Sequence, residues 1–125
     1  MLHHVSFGVA DLQRSGAFYD AALSPLGYVR VWTDATAMGF GRPGEEDQFA
    51  LKLDPVSSTP SQRFHLAFAA PTRESVARFH QAALRCGGRD DGAPALCPEY
   101  GEYYYAAFVI DPDGYRVEAV INEPL

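Results

Sequence analysis

Residues 3–27 read HHVSFGVADLQRSGAFYDAALSPLG, and residues 64–88 read FHLAFAAPTRESVARFHQAALRCGG. Sliding the chain against itself by 61 positions brings His4 onto His65, Phe7 onto Phe68 and Phe18 onto Phe79. The same shift brings Ala21, Ala22 and Leu23 onto Ala82, Ala83 and Leu84, and Gly27 onto Gly88. That is seven identities in 24 ungapped positions, where average residue usage would give on the order of one or two. The period is too long and the copies too few for a solenoid. The chain is one module of about 60 residues written twice.

Each copy opens on a segment of period two, which is a strand pattern. Val5, Phe7 and Val9 share one face, and His4, Ser6 and Gly8 the other. A helix follows in each, with Asp11 and Thr72 as N-caps. In the second, Val76, Phe79, His80, Ala83 and Leu84 make a helical apolar stripe. Glycine ends both helices, Gly27 in the first and Gly87 with Gly88 in the second. Pro25 closes the regular part of the first one early. The remainder reads as strands: 28–33, 36–41 and 48–53, then a looser stretch at 88–101, 103–110 and 115–121. Asp111-Pro112-Asp113-Gly114 is a hairpin turn between the last two. The expected fold is α+β: two βαβββ modules, 1–54 and 63–125, joined by a linker at 55–62 within a single domain, 1–125.

Composition narrows the function. Apolar residues make up 47% of the 125 and charged residues 21%, which is a folded chain with its own core. Ten basic against sixteen acidic residues give a net charge of −6, and Lys52 is the single lysine. So few cations argue against a nucleic-acid surface and against an anionic membrane. No apolar run approaches the ~18 residues of a membrane span, and with a strand pattern beginning at Leu2 no leader is expected. Cys86 and Cys97 lie eleven apart, neither a CxxC pair nor a disulfide framework. They fit reduced thiols, so a cytoplasmic location is expected.

The motifs HHVSFGVADLQRSGAFYDAAL at 3–23, FHLAFAA at 64–70 and FVIDPDGYRVEAV at 108–120 resemble the vicinal oxygen chelate superfamily over essentially the whole chain. Its members include glyoxalase I, extradiol dioxygenases, fosfomycin-resistance enzymes and bleomycin-binding proteins. The resemblance implies that two βαβββ modules pair, within a chain or between two chains, so that their sheets close around one cavity. It also implies a divalent-metal site at His4, His65 and Glu118. The residues agree. His4 and His65 hold equivalent repeat positions, and a three-residue hairpin loop sets Glu118 opposite Phe108. Glu118 then shares a face with Arg116, Tyr104 and Ala106. Two imidazoles and a carboxylate make a facial triad with open positions, suited to iron, manganese, zinc or nickel without distinguishing among them.

Ser6, on the His4 face, and Arg116, which can pair with an anionic group, are the candidate catalytic residues. Tyr104 and Phe108 are expected to wall the substrate pocket. His3 is expected at the surface and His80 in helix packing. Glyoxalase I has a further Glu or Gln in the middle of the strand that here reads Gln48-Phe49-Ala50-Leu51-Lys52-Leu53. Extradiol dioxygenases have a Tyr where this chain has Phe108. Tyr104, roughly 13 Å farther along at ~3.4 Å per residue, is expected to lie too far away to replace it. Fosfomycin-resistance enzymes have an Arg beyond the ligand Glu, and here no Arg or Lys follows Arg116. The expected function is a metal-dependent enzyme acting on a small substrate with adjacent oxygens, and the resemblance implies a homodimer. Lyase or isomerase chemistry ranks slightly above dioxygenase chemistry. The alternative is a metal-free binder of a hydrophobic or cationic small molecule.

Overall fold

A computed structural model describes residues 1–56 and 58–125; residue 57, within the expected linker, lies outside them. The first half forms β1 (Val5–Val9), α1 (Leu12–Leu23) with a 3-10 turn at Ser24–Leu26, β2 (Val29–Thr33), β3 (Ala37–Gly41) and β4 (Phe49–Leu53). The second forms β5 (His65–Ala69), α2 (Arg73–Arg85), β6 (Arg89–Leu96), β7 (Tyr104–Ile110) and β8 (Arg116–Asn122). Each half is a four-stranded sheet of the same order, β1-β4-β3-β2 and β5-β8-β7-β6, with a parallel first pair and antiparallel others. The expected α+β double βαβββ fold is the one observed.

The repeat identities fall where a shared fold needs them. Phe18 and Phe79 hold matching places on the two helices and are both fully buried. Asp11 and Thr72 each accept the backbone N–H three residues on, at 3.0 Å. Only one paired feature shifts. Gly27 closes the first helix with φ +91°, whereas the left-handed residue after α2 is Gly87, at φ +99°. Gly88 has another reason to lack a side chain: a Cβ there would lie 2.8 Å from Phe18 of the other half.

The Asp-Pro-Asp-Gly hairpin does more than reverse the chain. Its carboxylates reach across to α1 and the end of β1. Asp113 accepts from the Ala10 N–H at 3.0 Å, the Ser15 hydroxyl at 2.5 Å and the Arg14 guanidinium at 3.3 Å. Asp111 accepts from the Tyr19 hydroxyl at 2.5 Å and from the backbone N–H of Asp113 and Tyr115 at 2.9 Å each. Tyr115 stacks on Phe7 with ring centroids 3.9 Å apart and donates to the Gly8 carbonyl at 2.9 Å. With α1 packed on α2, the halves share one core on their helical sides. Phe7, Val9, Phe49 and Leu51 face it from one sheet, and Val109, Val117 and Ala119 from the other. The opposite sheet faces are left free of helices.

Candidate functional site

Those helix-free faces carry the polar residues that strand alternation sets opposite the core. On the first sheet, Ser6, Ala50, Gly39 and Trp32 are cross-strand neighbours in one row. On the second sheet the matching row is Ala67, Glu118, Phe108 and Gly92. Glu118 and Ala50 therefore fill equivalent slots, and only the second module carries a carboxylate there. Each row also lays an aromatic ring over a glycine, with the strands exchanged. A Cβ on Gly39 would meet Trp32 Nε1 at 2.2 Å, and one on Gly92 would meet Phe108 at 2.9 Å.

Around Glu118 the second sheet forms a hollow of about 410 Å³, lined by His65, Tyr104, Phe108, Arg116, Tyr100 and Asp91 among others. Glu118 is 1% exposed. Its Oε1 lies 3.1 Å from His65 Nε2, and His65 itself is more than half exposed. Its Oε2 accepts a hydrogen bond from the Tyr104 hydroxyl. Burial, followed by that hydrogen bond and the carboxylate's charge, pushes the Tyr104 phenol well above its ordinary value. It therefore stays a donor at neutral pH. The expected ladder holds, with Phe108 opposite Glu118. From four residues along β7, the Tyr104 hydroxyl nevertheless reaches Glu118. Tyr104 pairs with Asn122, but side chains lean along a strand, and a long phenol and a long carboxylate together close the gap that Cα spacing suggests.

Arg116 lies in the hollow beside His65, its ladder partner, but its guanidinium is paired with Asp91 at 2.9 Å. It thus stands in the hollow with an ion-pair partner already in place. Asp91 is the residue that sequence reading missed, because bulges in the β6–β7 pairing break the alternation that would have placed it. Tyr100, its ring 5.2 Å from that of Tyr104, falls within the looser strand expected at 88–101, but β6 ends at Leu96 and leaves it in the turn that follows.

His4 is elsewhere. It precedes β1 and lines a second cleft, of about 260 Å³, with Gln48, Phe49, Phe68 and Ala69. Its Nδ1 lies 2.9 Å from that of His3. His3 is at the surface, as expected, and stands beside His4 there, since strand alternation does not yet govern the chain before Val5. Ser6 is exposed on the first sheet. His80, expected in packing, is buried and also pairs with Asp90 at 2.9 Å. Within one chain, then, His65 and Glu118 come together and His4 does not join them. No three His, Cys, Asp or Glu among the described residues gather closely enough to hold a metal.

Residues 1–119 match the Glyoxalase/Bleomycin resistance protein/Dioxygenase superfamily. The chain belongs to that superfamily. Among solved structures it is similar to a glyoxalase/bleomycin resistance protein from Albidiferax ferrireducens T118, at 30% identity and a TM-score of 0.82 over 96% of this chain and 97% of that one. It is also similar to a putative glyoxalase from Bacillus halodurans, at 28% identity and 0.67 over 96% and 94%. A bleomycin resistance determinant encoded on the transposon Tn5, at 21% identity and 0.65 over 95% of each chain, shares the fold. No curated protein matches the sequence. The superfamily's double-module architecture is the one described above, and no helix among the described residues is long and apolar enough to cross a membrane.

Proposed function

We propose that this superfamily member is a divalent-metal enzyme acting on a small oxygen-chelating substrate, with its site completed between two copies of the chain. The observation that carries the reading is Glu118. A buried carboxylate is costly unless compensated, yet among the described residues the only basic side chain within ion-pair distance of this one is the His65 imidazole. The donor set fits a metal. Two ligands about 2.0–2.2 Å from one ion stand roughly 3 Å apart at right angles, and His65 Nε2 and Glu118 Oε1 are 3.1 Å apart. His65 and Glu118 would hold the ion, with His4 supplied by a second copy whose first sheet faces the second sheet of this one. When bound, the ion supplies Lewis acidity to a substrate oxygen.

The chain's own groups bias the chemistry. The slot equivalent to Glu118 is Ala50, which offers no base. Phe108 offers no acid, and the Tyr104 proton is committed to Glu118. Tyr100 in the hollow and Ser6 of the facing sheet carry the remaining hydroxyls. That supports lyase or isomerase chemistry slightly over oxygen activation. The aromatic walls Tyr100, Tyr104 and Phe108, with a net charge of −6, favour a second reading, a metal-free binder of hydrophobic or cationic small molecules.

Two measurements separate the readings. Purified protein should carry a stoichiometric divalent metal, which the His4→Ala and Glu118→Gln variants should each lose. Mixing the two variants should restore binding, because a two-fold assembly would then pair an intact His4 with an intact His65 and Glu118. Metal-free wild type that also fails to take up added ions would overturn the enzyme reading. Stoichiometric binding without rescue on mixing would place the site within one chain.

A further inference from the structure

We infer that Tyr104 is the positioning residue of this site: its hydroxyl holds Oε2 of Glu118, so that Oε1, beside His65, is the single oxygen free to ligate. The inference rests on the metal reading above and adds a residue to it. Glu118 sits across the ladder from Phe108, whose ring can donate nothing to a carboxylate. Arg116 shares the face but is turned to Asp91. Glu118 is 1% exposed, so its second oxygen calls for a donor from the protein. Tyr104 fills that need from four residues along β7, braced by the Tyr100 ring. A carboxylate held at one oxygen by a phenol is fixed in rotation and is kept from turning both oxygens toward one ion. The partners that orient metal ligands typically matter 10–100-fold in affinity.

Cobalt(II) alone is the probe, because its visible absorption reports coordination number and geometry without any substrate. Wild type, Tyr104→Phe and Glu118→Gln are titrated at neutral pH, with circular dichroism and thermal unfolding of the metal-free proteins alongside. Tyr104→Phe keeps the ring and removes only the donor. It should fold as wild type does, bind cobalt about 10–100-fold more weakly, and show the weaker absorption of a higher coordination number as Glu118 becomes bidentate. Unchanged affinity and spectrum in Tyr104→Phe, with wild type binding one ion per site and Glu118→Gln failing to, would overturn the inference and leave the metal reading standing. Wild type that binds no cobalt would overturn both. Should Tyr104→Phe unfold, Tyr104→His keeps a ring donor nearby; spectral and affinity changes as large as those of a Tyr104→Leu variant would show that packing, not the hydrogen bond, sets the carboxylate.

Discussion

Glu118 and Asp111 are two buried carboxylates seven residues apart on the same hairpin, and their surroundings assign them different work. Glu118 faces the open hollow with His65 and Tyr104. Asp111 faces inward, where it accepts three hydrogen bonds, yet burial still pushes it up to about 6 from its ordinary 3.8. The folded state therefore holds this proton more tightly than the unfolded chain does. Its contribution favours folding below about pH 4 and is lost as pH rises through about 6, a difference worth about 3 kcal/mol. Asp111→Asn removes the titration while keeping the shape. The stability of wild type minus that of the variant, from urea unfolding at a series of pH values, should fall between pH 4 and pH 6.5. A difference that is flat or rising over that range contradicts the assignment. His65 and Glu118 were legible as candidates because both sit on alternating strands. The role of Tyr104 was not, because side-chain reach along a strand is absent from Cα spacing.

At the level of elements, the hairpin of the second half is a clasp on the helix of the first. Asp113 satisfies the buried Ser15 hydroxyl and the free N–H of Ala10, which precedes α1. Asp113→Ala should cost about 1–3 kcal/mol by leaving those donors unpaired, read as a loss in chemical-denaturation stability with little change in metal uptake. The glycine beneath Trp32 gives a second test. A Cβ at Gly39 would lie 2.2 Å from the indole nitrogen, so Gly39→Ala must lift the ring. Trp32 is the only tryptophan in the chain, so the variant's emission should shift to the red, with a stability loss of about 1–3 kcal/mol. Unshifted emission would mean that the indole does not lie on that glycine. The turn itself was plain from Asp-Pro-Asp-Gly. What its carboxylates grip was not, because the partners lie about 100 residues away in the chain.

For the whole molecule, the shared core on the helical sides leaves both opposite faces open, and the two halves of the candidate site stand on different faces of one chain. A second copy completes it in the proposed assembly. Sedimentation should give a dimer at micromolar concentration, and Ser6→Asp, which places a charge on the facing sheet, should weaken it. A wild-type monomer that nonetheless binds one metal tightly would reject the two-copy site.

The sequence by itself determined the duplicated βαβββ architecture, because period-two strands, helix caps and glycine stops are local signals repeated at a fixed offset of 61. It also determined that Glu118 faces away from the core, because a hairpin loop sets ladder register. Only the tertiary structure decided that Arg116 is occupied by Asp91, that Tyr104 reaches Glu118, and that His4 stands apart from His65 in one chain. These depend on bulges, on side-chain lean and on how two modules dock through their helical sides. Such docking joins residues far apart in sequence through shape and burial, which no local pattern encodes.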